Sequence, residues 1–229
     1  MGENHGYVAR HACGSLTSSN RGGLLAHIPD GVLSAPVFIV GGLAAVSALT
    51  FSLRALDDRQ IPRVAILSAS FFAISLFSIP IGPTSIHLLL GGLMGLILGP
   101  AIFPAIFAAL LLQAMMFGFG GLTTLGINTV NIALPAALLG LAFRPAVARA
   151  SVSTAAILAT ICSVLCVVAT GLLVALSLLF SSPDYAVSAK AMIVTYVPLM
   201  IIEGLITGSC ITFLKKVKPE LLNPHAAGE

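Results

Sequence analysis

Two histidines, His27 in "LLAHIPDGVLSAP" and His87 in "GPTSIHLLLGG", stand beside apolar runs in a chain that has only 5 histidines in all. Neutral imidazole is the commonest protein ligand for borderline transition metals, and it also serves as a plain hydrogen-bonding group at a membrane interface. Residue type and placement admit both readings for this pair. His5, His11 and His225 lie in polar end segments and are assigned no role. Glu203 is the one acidic residue well inside an apolar run, where a carboxyl is costly unless paired or protonated, which makes it a functional candidate by default. It faces a partner protein, relays a proton, or bonds a neighbouring helix, and the sequence does not rank these. Asn128 and Asn131, three positions apart, share a helix face and suit either support of an imidazole N–H or satisfaction of helix-start amides. Asp30, in "PDG", reads as a helix cap rather than a ligand, as do Thr84 and Ser85 before the third apolar run. Cys162 and Cys166, four apart, read as core packing rather than a soft metal site.

The elements that must carry these residues are membrane helices. Mean hydropathy is +1.06. Apolar residues make up 58% and charged residues 8%, against about a quarter charged in soluble domains. A transmembrane window finds apolar runs at Val32 to Leu53, Val64 to Ile81, Ile86 to Leu98, Ala101 to Phe117, Ile127 to Phe143, Val152 to Phe180 and Val187 to Leu214. The fold class is therefore an all-α integral membrane protein, a polytopic bundle of about seven transmembrane helices. The third run is short and stops at Gly99-Pro100, so it is tilted or spans only together with its neighbour. Residues 1–25 are polar and Gly/Ser-rich, without the apolar core of a signal peptide, and read as a disordered tail or removable leader. The membrane domain covers 26–218 and a cytoplasmic tail 219–229.

Basic residues set the orientation. Arg54, Arg59 and Arg63, then Arg144 and Arg149, then Lys215, Lys216 and Lys218 fall in alternate connections, which places those on the cytoplasmic side. The N-terminus then lies outside and the C-terminus inside, and His27 and His87 meet at the outer face. Arg10 and Arg21 work mildly against this. The formal net charge of +3 fits basic cytoplasmic loops, and no basic stretch with interleaved aromatics suggests nucleic acid. Gly91, Gly95 and Gly99 form a small-residue strip for close helix packing. Gly41, Ala44, Ala45 and Ala48 on the first helix form a similar one, open to internal packing or to a partner.

Three stretches in order, "HIPDGVLSAP", "GPTSIHLLLGGLMGLILGP" and "LLLQAMMFGFGGLTTLGINTVNIALP", resemble the signatures of the CbiM/NikM family, the substrate-capturing membrane subunits of energy-coupling-factor importers for cobalt and nickel. The likeness covers nearly all of 27–218. It implies that the mature chain begins one residue before a histidine. The ion would be held by the free amine of Ala26, the backbone nitrogen and imidazole of His27, and the imidazole of His87. It also implies that the loop Gly118 to Gly126 closes over the metal. The implied partners are a transmembrane scaffold (T) subunit, two ATPase (A) subunits and a small accessory membrane subunit; the implied location is the cell (inner) membrane.

That ligand set has its own chemical logic. An amine, a deprotonated amide and an imidazole Nδ1 from two adjacent residues close linked chelate rings, and a fourth nitrogen from His87 completes a planar site suited to Ni(II) or Cu(II). Binding displaces protons, so affinity falls in acid. This chain departs from the family pattern in carrying 25 residues ahead of Ala26, so the free amine requires processing between Leu25 and Ala26, or an extension that does not exist in the working protein. The chain lacks a G-x-x-x-x-G-K-[ST] phosphate loop, so ATP hydrolysis falls to partner subunits and the chain is not itself an enzyme. The reading is a substrate-binding importer subunit for Co2+ or Ni2+, supplying cobalamin or metalloenzyme synthesis, with the metal as transported substrate and no organic cofactor. The alternative is a self-sufficient membrane carrier or channel for a small solute.

Overall fold

The computed structural model describes residue 28 and residues 30–77, 79–81 and 84–222. Among these residues the chain forms α1 (Ala35–Arg54), α2 (Ile61–Ser75), a two-stranded ribbon of β1 (Ile79–Ile81) and β2 (Thr84–Ile86), α3 (Gly91–Leu98), α4 (Ile102–Phe117), α5 (Leu125–Arg149), α6 (Val152–Ser181) and α7 (Ala186–Val217). The ribbon is antiparallel, with Ile79 opposite Ile86 and Ile81 opposite Thr84. It is the one departure from the all-α expectation among the described residues. It also moves Thr84 and Ser85 off any helix start: they belong to a strand, and α3 begins five residues past Ile86 with Leu90 as its cap.

Stretches long and apolar enough to cross a bilayer are Ala35–Arg54, Gly91–Phe117, Leu125–Arg149, Val152–Ser181 and Val194–Val217. With 15 residues, α2 is about 22 Å long and falls short of a ~30 Å hydrocarbon core. The Gly91–Phe117 stretch is not one straight rod. Gly99 has φ +56 and opens a 3₁₀ turn through Pro100 to Ala101, where proline cannot continue the helical ladder.

Packing shows that the chain reverses there. Gly95 lies on Ala136 and Gly140, and Gly99 lies near Arg144, so α3 runs alongside α5 in the same direction. Ser68 donates to the carbonyl of Ala105 at 2.7 Å and Gln113 donates to Ser75, so α4 runs alongside α2 and leads back toward the other end. The third apolar run is thus a half-length helix preceded by ribbon and irregular backbone, and α4 is its return leg.

Backbones approach closely where glycine permits. A Cβ on Gly95 would stand 2.0 Å from the Ala136 carbonyl oxygen, and one on Gly92 would stand 2.5 Å from Cα of Ser163. The glycine strip of α3 is therefore a packing face against α5 and α6. The strip on α1 packs inward in part: Gly41 lies against Ile127, Gly42 approaches Gly126 and Ala45 is 2% exposed, whereas Ala48 is half-buried and Ala44 is exposed. Elsewhere α1 turns apolar side chains outward, with Val40, Leu43 and Val46 exposed by 67%, 65% and 63%, the pattern of a helix that meets lipid. The core gathers Phe71, Met94, Leu96, Ile102, Ile106, Ile132 and Ile211.

The ends of the bundle differ in charge. The last residue of α1 is Arg54 and the last of α5 is Arg149, α2 starts just before Arg63, and Lys215 from the end of α7 donates to the carbonyls of Ala148 and Ala150 at 2.8 and 2.7 Å. These basic residues gather at one end, opposite Asp30, while Lys190 near the start of α7 lies toward the other end. Packed structure also runs past residue 218: Pro219–Leu222 form a 3₁₀ turn and Leu222 is 1% exposed. Residues 223–229 lie outside the described residues.

Candidate metal-binding end of the bundle

His87 lies between β2 and α3, in four residues, 87–90, that belong to neither. Its imidazole is 6% exposed and meets Phe71 of α2 edge-on, with ring centroids 6.5 Å apart. Nδ1 is 3.0 Å from the carbonyl oxygen of Leu88. A carbonyl only accepts, so Nδ1 carries the proton and donates, and the lone pair of the neutral ring sits on Nε2. This is the arrangement by which a backbone carbonyl orients a metal-ligating histidine.

The residues after His87 would leave amides unsatisfied inside the bundle, because the chain is neither strand nor helix there and Leu90 takes the left-handed conformation at φ 48. The acceptor comes from α7. Oε1 of Glu203 accepts from the backbone N–H of Leu89 and, at 2.8 Å, from that of Leu90. Of the three roles open to Glu203 from sequence, the structure displays the bond to a neighbouring element.

Ala26 and His27 lie outside the described residues, whereas Ile28, the next residue along the chain, is firmly held. The N–H of Ile28 donates to Oδ1 of Asn128 at 3.1 Å, and its carbonyl accepts from Nδ2 of Asn128 at 3.0 Å and from the Thr124 hydroxyl at 2.7 Å. Ile28 itself is 3% exposed. Two positions on, Oδ1 of Asp30 accepts from the Thr123 hydroxyl and from the amides of Thr123 and Thr124 at 3.0 and 3.3 Å. Asp30 is thus a cap, as its sequence context suggested, but for the turn that opens α5 rather than for α1. Gly121 makes room for it, since a Cβ there would stand 1.9 Å from the carboxylate.

Asn128 therefore serves this end by gripping the backbone of the residue after His27. Asn131 points elsewhere: its amide donates to the Ser177 hydroxyl of α6 at 3.3 Å. Sequence reasoning passes over Thr123 and Thr124, though a threonine pair after a Gly-rich turn and before an apolar helix is a recognisable capping signal. The two held segments share one end of the bundle. Phe71 touches His87, its neighbour Phe72 packs on Phe117, Phe117 stacks on Phe119, and Gly121 lies under Asp30.

A family model described as the cobalt uptake substrate-specific transmembrane region, CbiM, matches residues 27–221, from His27 through every helix of the bundle. The chain belongs to the CbiM family. Its relatives include a protein of Haemophilus influenzae named for metal transport, 34% identical over 199 residues, which span 86% of this chain and 97% of the relative. The fused nickel transport protein NikMN of Rhodobacter capsulatus is 33% identical, the match covering 88% of this chain and 65% of that protein. A solved structure of a truncated transition metal transporter superposes with a TM-score of 0.67 at 29% identity, over 83% of this chain and 98% of that one. This CbiM-family chain is a multi-pass membrane protein. Among its described residues no three His, Cys, Asp or Glu side chains gather to hold an ion. Cys162 and Cys166 are buried in α6, the latter with its thiol 3.9 Å from the Pro135 carbonyl, which is packing.

Proposed function

We propose that this chain is the substrate-binding subunit of an ATP-driven energy-coupling-factor importer for Co2+ or Ni2+ in the cell membrane. The ligands are the amine of Ala26, freed by processing after Leu25, the amide and imidazole of His27, and the imidazole of His87. The N-terminus faces outward and the C-terminus the cytoplasm, with the seven helices, α3 together with its irregular approach, acting as seven legs through the bilayer. The gathering of basic residues at the Arg149 end supports this orientation. The chain works with a scaffold subunit, two ATPase subunits and a small accessory membrane subunit. Support for a joined component comes from the fused nickel transport relative, of which the match spans 65%. The metal supplies cobalamin or metalloenzyme synthesis.

One observation carries the reading: the N–H of Ile28 is bonded by Asn128 and its carbonyl by Asn128 and Thr124, so the described chain is anchored at the His87 end at the residue that follows the proposed ligand His27 in sequence. The test is N-terminal sequencing of the membrane-purified protein together with Ni2+ and Co2+ titration. A chain starting at Ala26, with tight binding that His27→Ala and His87→Ala each abolish while insertion persists, is the expected result. Tight binding by a chain that still starts at Met1 would overturn the ligand set. Metal uptake by this chain alone in vesicles would overturn the dependence on ATPase partners.

A further inference from the structure

The 87–90 segment raises a problem of hydrogen bonding. Backbone inside a membrane bundle must have its N–H groups satisfied, and a helix that starts partway through leaves its first amides open. Leu89 and Leu90 are 2% and 3% exposed, and no side chain caps α3 from its own sequence. Glu203 supplies the acceptor from a different helix, with both amides on one oxygen and the carboxyl 0% exposed. Its second oxygen, Oε2, has no hydrogen-bond partner among the described residues. A carboxyl buried at that cost is held where one oxygen does the work of two backbone partners.

Resting on the metal-site reading, we infer that Glu203 is a positioning residue for His87: by capping Leu89 and Leu90 it holds the left-handed turn that aims the imidazole at the ion. The lever is short. His87 is two residues upstream of the first capped amide, its Nδ1 is tied to Leu88, and the ring is backed by Phe71, so a slip of the Leu89–Leu90 turn moves Nε2. The function absorbs Glu203 without asking it to touch the metal or carry a proton.

The test is a double-mutant cycle on the full chain, read by titration with Ni2+ alone and by the visible absorption band of the bound ion. Glu203→Leu weakens Ni2+ binding by roughly 10- to 100-fold, the range for groups that orient a metal ligand, and shifts the band. Glu203→Gln, which keeps a carbonyl oxygen for the two amides, recovers most of the affinity. Thr207→Val, one turn along α7 and removing the buried bond from Thr207 to Ser163 at 3.1 Å, leaves band and affinity in place. In the His87→Ala background, where the residues at 26 and 27 still give measurable weak binding, Glu203→Leu has no further effect. An equal loss with and without His87, or a loss in Thr207→Val matching that of Glu203→Leu, overturns the inference. So does wild-type affinity in Glu203→Leu where His87→Ala is defective, an outcome that leaves the metal-site reading standing. Unchanged affinity in His87→Ala sinks the metal-site reading itself.

Discussion

The two segments that converge on the Asp30 end are held by opposite means. Residues 87–90 are fixed from inside the bundle, by one buried carboxyl on α7. Ile28 and Asp30 are fixed from the rim, by several neutral groups on the turn into α5: exposed Thr123 and buried Thr124 and Asn128. A single buried acceptor inside a low-dielectric bundle is strong but has no substitute. A set of rim bonds is individually weak and shares the load. The difference suits the proposed site: His87 belongs to the packed scaffold, whereas the ligands proposed at Ala26 and His27 would have to be delivered to it through Ile28.

The largest effect should come from breaking the scaffold beneath His87. Gly95→Ala drives a methyl group to 2.0 Å from the Ala136 carbonyl oxygen, and backbone on backbone cannot give way as a side chain would. Overpacking of a tight core costs about 1–3 kcal/mol and more where backbone must move. Gly95→Ala therefore lowers the yield of folded protein and its melting temperature in detergent, and with it all metal binding. Gly42→Ala is the control, because a Cβ there meets nothing within 4 Å; it leaves both unchanged. Equal melting temperatures for the two variants would show that the α3–α5 contact does not set the scaffold.

Much of this arrangement is legible in the sequence. The glycine strip at 91, 95 and 99 and the break at Pro100 follow from residue type and spacing, and the placing of His87 at the same end as the Ile28–Asp30 segment follows from the alternation of basic connections. The irregular 87–90 backbone does not, because a run such as "IHLLLGG" is equally apolar as helix or as buried extended chain, and periodicity cannot separate them. The left-handed Leu90 is hidden for the same reason: nothing about leucine announces it. Glu203 stands out as a buried carboxyl, but its partners lie 113 and 114 residues away, and a single sequence holds no information on which distant amides lack acceptors. Asn128 draws notice for its side chain, yet it acts on the backbone of a residue 100 positions away.

Next in size is the rim. Asn128→Ala removes both bonds to the Ile28 peptide, and buried side-chain hydrogen bonds of this kind are worth roughly 1–2 kcal/mol in membrane bundles. Global stability should fall by that amount or less, since Thr124 still holds the Ile28 carbonyl. Metal affinity falls further, by about tenfold or more, because the anchor beside His27 is lost. The measurement is Ni2+ titration set beside a thermal melt. Affinity that drops only in proportion to stability would erase the distinction between rim and scaffold.

The smallest effect probes what Asp30 contributes as a charge. Its Oδ1 does all the accepting, from two amides and a hydroxyl. Asp30→Asn keeps an oxygen in that place and loses only the charge, worth a few tenths of a kcal/mol at a solvent-accessible helix start. Asp30→Ala removes the acceptor and costs about 1 kcal/mol, the usual value of an N-cap. Ni2+ affinity should therefore follow the order wild type, Asp30→Asn, Asp30→Ala, with the first two nearly equal and weakly dependent on salt. A large loss in Asp30→Asn that added salt reproduces in the wild type would mean that the carboxylate draws the cation electrostatically. Asp30 would then belong with the ion's approach path rather than with the cap.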